Sequence, residues 1–253
     1  MKNYWVLVKS VIIVIILMGI KLVIDYFKLD LIEPHSVLTS LVAGVMFTMA
    51  ILFSGVLSDY KESEKIPGEL AAAFRNLYKD IRVATVTHPD LTKDMLEHVR
   101  QLLHILTTHF KTNHWSARDI NAEMDKIDED IEHLAKDGIA PAFIVKIRTE
   151  MSNIEKNSYR IDTIMQTSFL PAAYAMSVIA AIAVVGTLLF TKMDPYYAAM
   201  ALFGTVTFVL ISLLLLIKDM DNPFEYGRKS SADVDLSRLF KLENQLEEQS
   251  PDK

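Results

Sequence analysis

Histidines and carboxylates are the residues here whose types could do chemistry, and their spacing limits what that chemistry can be. The chain has seven histidines and no cysteine. His98, His104 and His109 fall on one predicted helix, but separations of six and five residues put their side chains on different faces, whereas zinc ligands sharing a helix sit three or four apart. No metal site is expected from them. The acidic run Asp125, Asp128, Glu129, Asp130 and Glu132 lacks the glycine of a calcium loop and reads as a solvated helix face. Without cysteine, thiolate metal sites, disulfides and cysteine nucleophiles are excluded. No phosphate-cradling glycine loop or serine nucleophile elbow occurs, so an enzyme is not expected. A net charge of -6 without a basic stripe argues against nucleic acid and against a polybasic lipid-binding surface.

The remaining chemistry is that of polar groups inside apolar segments. Residues Tyr4 to Phe27, Ser36 to Ser58, Ser168 to Phe190 and Tyr196 to Ile217 form four apolar runs. Each supplies the roughly 20 apolar residues that a helix needs to cross a hydrocarbon core about 30 Å thick. Hydrophobic residues make up 51% of the chain and charged residues still 23%, so the apolar content is concentrated in spans beside a solvated region. The first run, followed so closely by a second, reads as an uncleaved anchor rather than a signal peptide. Lys9 and Lys21 interrupt it near its ends, where long stems can snorkel, and Asp25 lies one turn beyond Lys21 as an ion partner. A less favoured reading makes Lys21 an anion-attracting group at an outer mouth.

The second run carries no charge and mixes small, hydroxylic and aromatic residues. Ala43, Met46, Phe47, Ala50, Ile51 and Ser54 are the expected pore-lining set, since apolar constriction beside small polar groups suits a gate that works by dewetting, with ring edges of Phe47 turned to an anion. The structural alternative is packing through Gly44, Ser54 and Gly55.

The elements that must position this run are helical. The expected division is a first transmembrane hairpin over 1–58, a helical region over 59–167, a second hairpin over 168–217 and a turn with a tail helix over 218–253. In the middle region Leu91, Met95, Leu96, Val99, Leu102, Leu103, Leu106 and Phe110 repeat at helical spacing, as do Ile120, Met124, Ile127, Ile131 and Leu134. Ser116 should cap the second of these helices and Gly138 end it, with Pro141 opening a third helix through Ile144, Ile147, Met151, Ile154 and Ile161. Pro67 and Gly68 should bend or break the extension of the second span. The polar end from Gln245 to Lys253 is expected to fray. Lys2, Lys9, Lys61, Lys65, Arg160, Lys218, Arg228 and Lys229 on one side, against Lys21, Lys28 and Lys192 on the other, place both termini and the middle region in the cytoplasm of a multi-pass cell-membrane protein.

Four short elements beside these spans carry a resemblance. Tyr60 to Leu70, with Tyr60, Glu64, Pro67 and Gly68, resembles the stretch after the second span of bestrophins. Pro171 and Tyr174 in Pro-Ala-Ala-Tyr-Ala are similar to their Pro-x-x-Tyr-Ala element, and Asn222, Pro223 and Phe224 to their Asn-Pro-Phe turn. Asp233 to Leu236, then Leu242-Glu243 to Leu246-Glu247, follow the bacterial branch. The resemblance implies an all-α, four-span pentamer around a central pore lined by the second span, passing chloride or other small anions, inner-membrane if bacterial. Its partners would be small inorganic ions, membrane lipid and further copies of itself. Glu225 replaces the glycine expected after the Asn-Pro-Phe turn, with Gly227 two residues later, and the acidic run that holds calcium in animal members shrinks to Glu225, Asp233 and Asp235. No cofactor is therefore expected, and calcium is doubtful. The competing function is a membrane-anchored signalling or scaffold protein whose cytoplasmic helices bind a protein partner. Paired Gly/Pro breaks and buried midplane charges, the marks of a transporter, are missing from the spans.

Overall fold

A computed structural model describes residues 4–86, 88–166, 171–192, 194–225 and 230–249. These residues form helices α1 (Trp5–Tyr26), α2 (Ser36–Ser63), α3 (Ile66–Ala84), α4 (Pro89–Thr112), α5 (Ala117–Lys136), α6 (Pro141–Gln166), α7 (Pro171–Leu189), α8 (Tyr196–Met220) and α9 (Ser237–Glu248). The all-α expectation holds. The chain separates into two compact units: residues 1–60, 168–223 and 229–232 in one, and 61–167, 224–228 and 233–253 in the other.

Among the described residues four helices are long and apolar enough to cross a membrane, and the first unit contains α1, α7, α8 and α2 as far as Tyr60. Its core is thin for its apolar content. Met49, Val184, Leu188, Phe203 and Leu210 are buried together, with Leu17, Met18, Val42 and Met46 packed against them. A second cluster joins Leu52, Val56, Ile217, Met220 and Ala232. Gly204 allows α8 to approach α1, since a Cβ there would stand 3.2 Å from Met18 Sδ. Ile12, Ile15 and Ile16 of α1 and Met176, Ile179 and Ile182 of α7 stay exposed, the pattern of a helix whose outer face meets lipid rather than protein. The α1–α2 and α7–α8 connections are tied by a single bridge in which Ile32 N–H donates to Phe190 C=O at 3.0 Å and Lys192 N–H to Ile32 C=O at 2.8 Å.

The second unit is a soluble-type helical bundle. Here α3 packs on α6, α4 on α5, and α9 on both α3 and α4. The stripes read from sequence are its core: Met95, Val99, Leu102, Leu103, Leu106 and Phe110 on α4 and Ile120, Met124, Ile127, Ile131 and Leu134 on α5 are buried, as are Ile147, Met151, Ile154 and Ile161 on α6. Ile144 is only half-buried, and the side chain of Leu91 lies outside the described residues. The acidic face of α5 faces outwards except where Asp128 meets Arg148 and Asp130 meets His98.

Local signals act as their chemistry requires. Ser116 Oγ accepts the Asp119 N–H and caps α5. Gly138 follows the end of α5 at φ 85°, and Pro141 opens α6. Between Ser63 and Ile66 the helix breaks, and Pro67 sits in the first turn of α3, where a missing N–H costs nothing. Helix α2 continues to Ser63 and α8 to Met220, because backbone hydrogen bonding extends beyond the apolar stretch. Helix α7 begins at Pro171, and residues 167–170 lie outside the described residues, as does the junction from α6. Fraying from Gln245 is overturned: α9 runs to Glu248 because Leu246 is buried against the bundle. Residues 250–253 are outside the described set.

Candidate functional site

The face of α2 opposite its packing side has no intramolecular partner among the described residues. Val42, Met49, Leu52 and Val56 turn into the first unit's core, so at 100° per residue the opposite stripe runs through Ala43, Phe47, Ala50 and Ser54. All four are exposed, Phe47 at 68%. Ile51 is 60% exposed at the edge of the stripe. Met46, 60° to the other side of Ala43, is half-buried against the Met49 cluster.

Between α2 and α7, within the same unit, lies a mostly apolar cavity of about 600 Å³. Gly44, Thr48, Ile51, Ala173, Met176 and Ser177 contribute to its wall, so Ile51 divides its surface between the exposed stripe and this groove. The hydroxyls of Ser40 and Thr48 are turned back, donating to Ser36 C=O at 3.0 Å and Gly44 C=O at 2.9 Å. Residues 36–58 hold no ionisable side chain, so what they can offer an ion is ring edges, methyl groups and hydroxyl dipoles.

Lys21 does not snorkel. It is 1% exposed, and its Nζ donates to Asp25 Oδ1 at 2.7 Å and to Thr191 C=O at 2.8 Å. The ion partner expected from sequence is in place; the carbonyl from the α7–α8 connection could not be read from spacing. An ammonium engaged in this way holds an end of α1 rather than standing free at a mouth. It still borders a cavity of about 510 Å³ with Asp30, Lys192 and Asp194.

The family-like motifs serve as joints. Tyr60 and Tyr174 pack against the Leu52–Val56 cluster. Glu64 pairs with Lys61 at 3.1 Å on the surface. Gly68 lies where a Cβ would stand 3.4 Å from an Arg238 guanidinium nitrogen of α9. After α8 the chain turns at Asn222-Pro223-Phe224, as a proline there demands. Phe224 is 1% exposed, with its ring 5.8 Å from that of Phe110 on α4. Gly227 lies outside the described residues.

Carboxylates around this turn are used as caps. Asp219 Oδ2 accepts the Ser231 N–H at 2.7 Å, and Asp235 Oδ1 accepts the Ser237 N–H at 2.9 Å at the start of α9. The Ser237 backbone and side-chain hydrogen bonds hold the Asp235 carboxyl below the usual carboxylate range. Among the described residues the acidic groups of this turn form no three-ligand set.

A cluster missed by sequence reasoning sits where α9 meets α4. Glu243 is buried and engages Thr107, Lys111 and His104, which are more than 130 positions away in the chain. Only the i, i+4 placement of Glu243 and Glu247 on α9 hinted at it.

The description "Bestrophin-like domain" matches residues 30–226 of the chain. A point variant of a bacterial bestrophin homolog from Klebsiella pneumoniae matches at 14% identity over 97% of this chain and 99% of that one, with a TM-score of 0.75. A second variant of the Klebsiella pneumoniae homolog matches at 14% identity, 99% and 100% coverage and a TM-score of 0.73. A structure described as a membrane protein variant gives 13% identity, 95% and 97% coverage and a TM-score of 0.77. No curated protein matches.

Proposed function

We propose, from the premise that this chain belongs to the bestrophin-like family, that it is one subunit of an oligomeric channel for small anions such as chloride, with α2 lining the conduction path. The observation that carries this reading is the uncharged, exposed stripe of Ala43, Phe47, Ala50 and Ser54, on the side of α2 away from its own core. Several copies arranged around an axis, five by the family resemblance, would enclose that stripe. Phe47 would form the narrowest apolar ring, and a ring of aromatic edges presents partial positive charge to an anion while leaving a cation unsupported. Ile51 and Ser54 would continue the wall, with Met46 behind it as packing. Both termini and the helical bundle of the second unit would lie in the cytoplasm, as the basic residues direct.

The exposed isoleucines of α1 and α7 support a lipid-facing role for those helices, which leaves α2 as the span for the axis. The chemistry is selection and passage, with no covalent step for a side chain to perform. Purified protein reconstituted in planar bilayers should give unitary currents whose reversal potential follows a chloride gradient. Silent bilayers containing intact oligomers, over a wide range of voltage and pH, would count decisively against the channel and favour a scaffold.

A further inference from the structure

The contact between α9 and α4 has a chemistry that passage along α2 does not use. Glu243 is 5% exposed; its Oε1 accepts the Thr107 hydroxyl at 2.6 Å and lies 2.9 Å from His104 Nδ1, while Oε2 accepts Lys111 Nζ at 3.0 Å. Burial pushes this carboxyl up, but the hydrogen bonds from Thr107, Lys111 and His104 outweigh it and hold the group below the usual range, as a carboxylate. One turn along α9, Glu247 presents a second carboxylate on the same face. Ligand atoms of His104, Glu243 and Glu247 all lie within 4.8 Å of one another. They border a cavity of about 320 Å³ that Glu97, Arg100 and Gln101 also line.

We propose that His104, Glu243 and Glu247 form a binding site for a zinc-class divalent metal ion that staples the tail helix α9 to α4. Tetrahedral zinc with bonds of about 2.0–2.2 Å holds neighbouring ligand atoms roughly 3.4 Å apart. The His104–Glu243 pair must therefore open by about half an ångström and any wider separation close by about 1.4 Å at most, which the exposed side chains of His104 and Glu247 can accommodate. Zinc takes the place between His104 Nδ1 and Glu243 Oε1 that a proton fills when Nδ1 is the protonated ring nitrogen. The neutral ring then carries its proton on Nε2, exchanged through water, and Nδ1 gives its lone pair to the metal. Lys111 stays on Oε2 and Thr107 on Oε1, outer partners of the kind that orient a ligating carboxylate. Water from the cavity completes the coordination. One imidazole and two carboxylates suit zinc, whereas calcium asks for six or more oxygens and magnesium for an octahedron.

The site is independent of the channel reading, so its test uses binding and exchange rather than current. Full-length protein in detergent, stripped with a chelator, is titrated with zinc while hydrogen exchange is followed in Ser237–Glu248. The expected result is one equivalent of zinc that slows exchange in α9, at least tenfold weaker binding in both His104→Ala and Glu247→Gln, and no effect of calcium at equal concentration. Both replaced side chains are exposed, so unchanged exchange in the cores of α5 and α6 certifies the fold of each variant. The proposal is overturned by a wild-type chain that takes up no zinc, by variants that keep this equivalent, or by bound zinc that leaves exchange in α9 unaltered.

Discussion

Lys21 and His109 show how a buried cationic side chain is settled in opposite ways. Lys21 is held by partners, since Asp25 and the Thr191 carbonyl lie within 2.8 Å of its Nζ. Removing only the lysine leaves Asp25 half-buried and without its ion partner, so Lys21→Met should cost about 1–3 kcal/mol. Replacing both members, Lys21→Met with Asp25→Leu, should recover most of that; thermal melts of the single and double variants measure the difference. If the single variant melts with the wild type, the pair carries little stability. His109 is 8% exposed, and burial lowers its pKa, against the pull of Asp119 and with a further push from His114. A folded-state pKa below the unfolded value means that its contribution is full above about pH 6.5 and is lost as pH falls through the folded value. The helical bundle should thus melt at a lower temperature at pH 5.5 than at pH 7.5. His109→Gln should flatten that dependence, and an unchanged slope would point to other groups. At this scale the sequence shows i, i+4 partners such as Asp25, but Thr191 is 170 positions from Lys21 and only folding joins them.

Helices carry the next set of consequences. Periodicity found the buried faces of α4, α5 and α6 because each must cover an apolar stripe from water, and 3.6-residue spacing is the only way a helix can do so. Leu102 is fully buried in the centre of that bundle, and Leu102→Ala should cost about 2–5 kcal/mol, read as a fall in the melting temperature of the second unit. The spans were legible by length, yet their rotation was not. An apolar helix in lipid has no polar face to orient it, so Ala43, Phe47 and Ser54 could be separated from Met46 only by seeing which side meets Met49 and Phe203. In reconstituted channels, Phe47→Ala should change conductance or anion selectivity several-fold, whereas Val42→Ala on the packing side should leave both near wild type. Equal effects from the two would move the conduction path to another face.

For the whole molecule, exposure of the α2 stripe matters because a single chain gives it no cover. A polar-dotted helix face in hydrocarbon is unfavourable, and association around an axis exchanges lipid for water and ring-to-ring contact. Native mass of the detergent-solubilised protein should therefore correspond to five chains, and a monomer would support the scaffold alternative. Five copies is the count proposed from the family resemblance, not one read from any interface in one chain.

Sequence alone determined that this protein has four spans and a helical bundle, because hydrophobic length and period are local properties set by bilayer thickness and helix pitch. It determined the caps at Ser116 and Gly138 and the turn at Pro223 for the same reason: each acts on its own neighbours in the chain. Tertiary structure decided which side of α2 is left uncovered, that Lys21 is buried rather than at the surface, that Phe224 belongs to the core beside Phe110, and that His104 meets Glu243 across 139 positions. Those facts depend on how helices pack, and packing is fixed by the summed shape of many side chains rather than by any spacing a single segment contains.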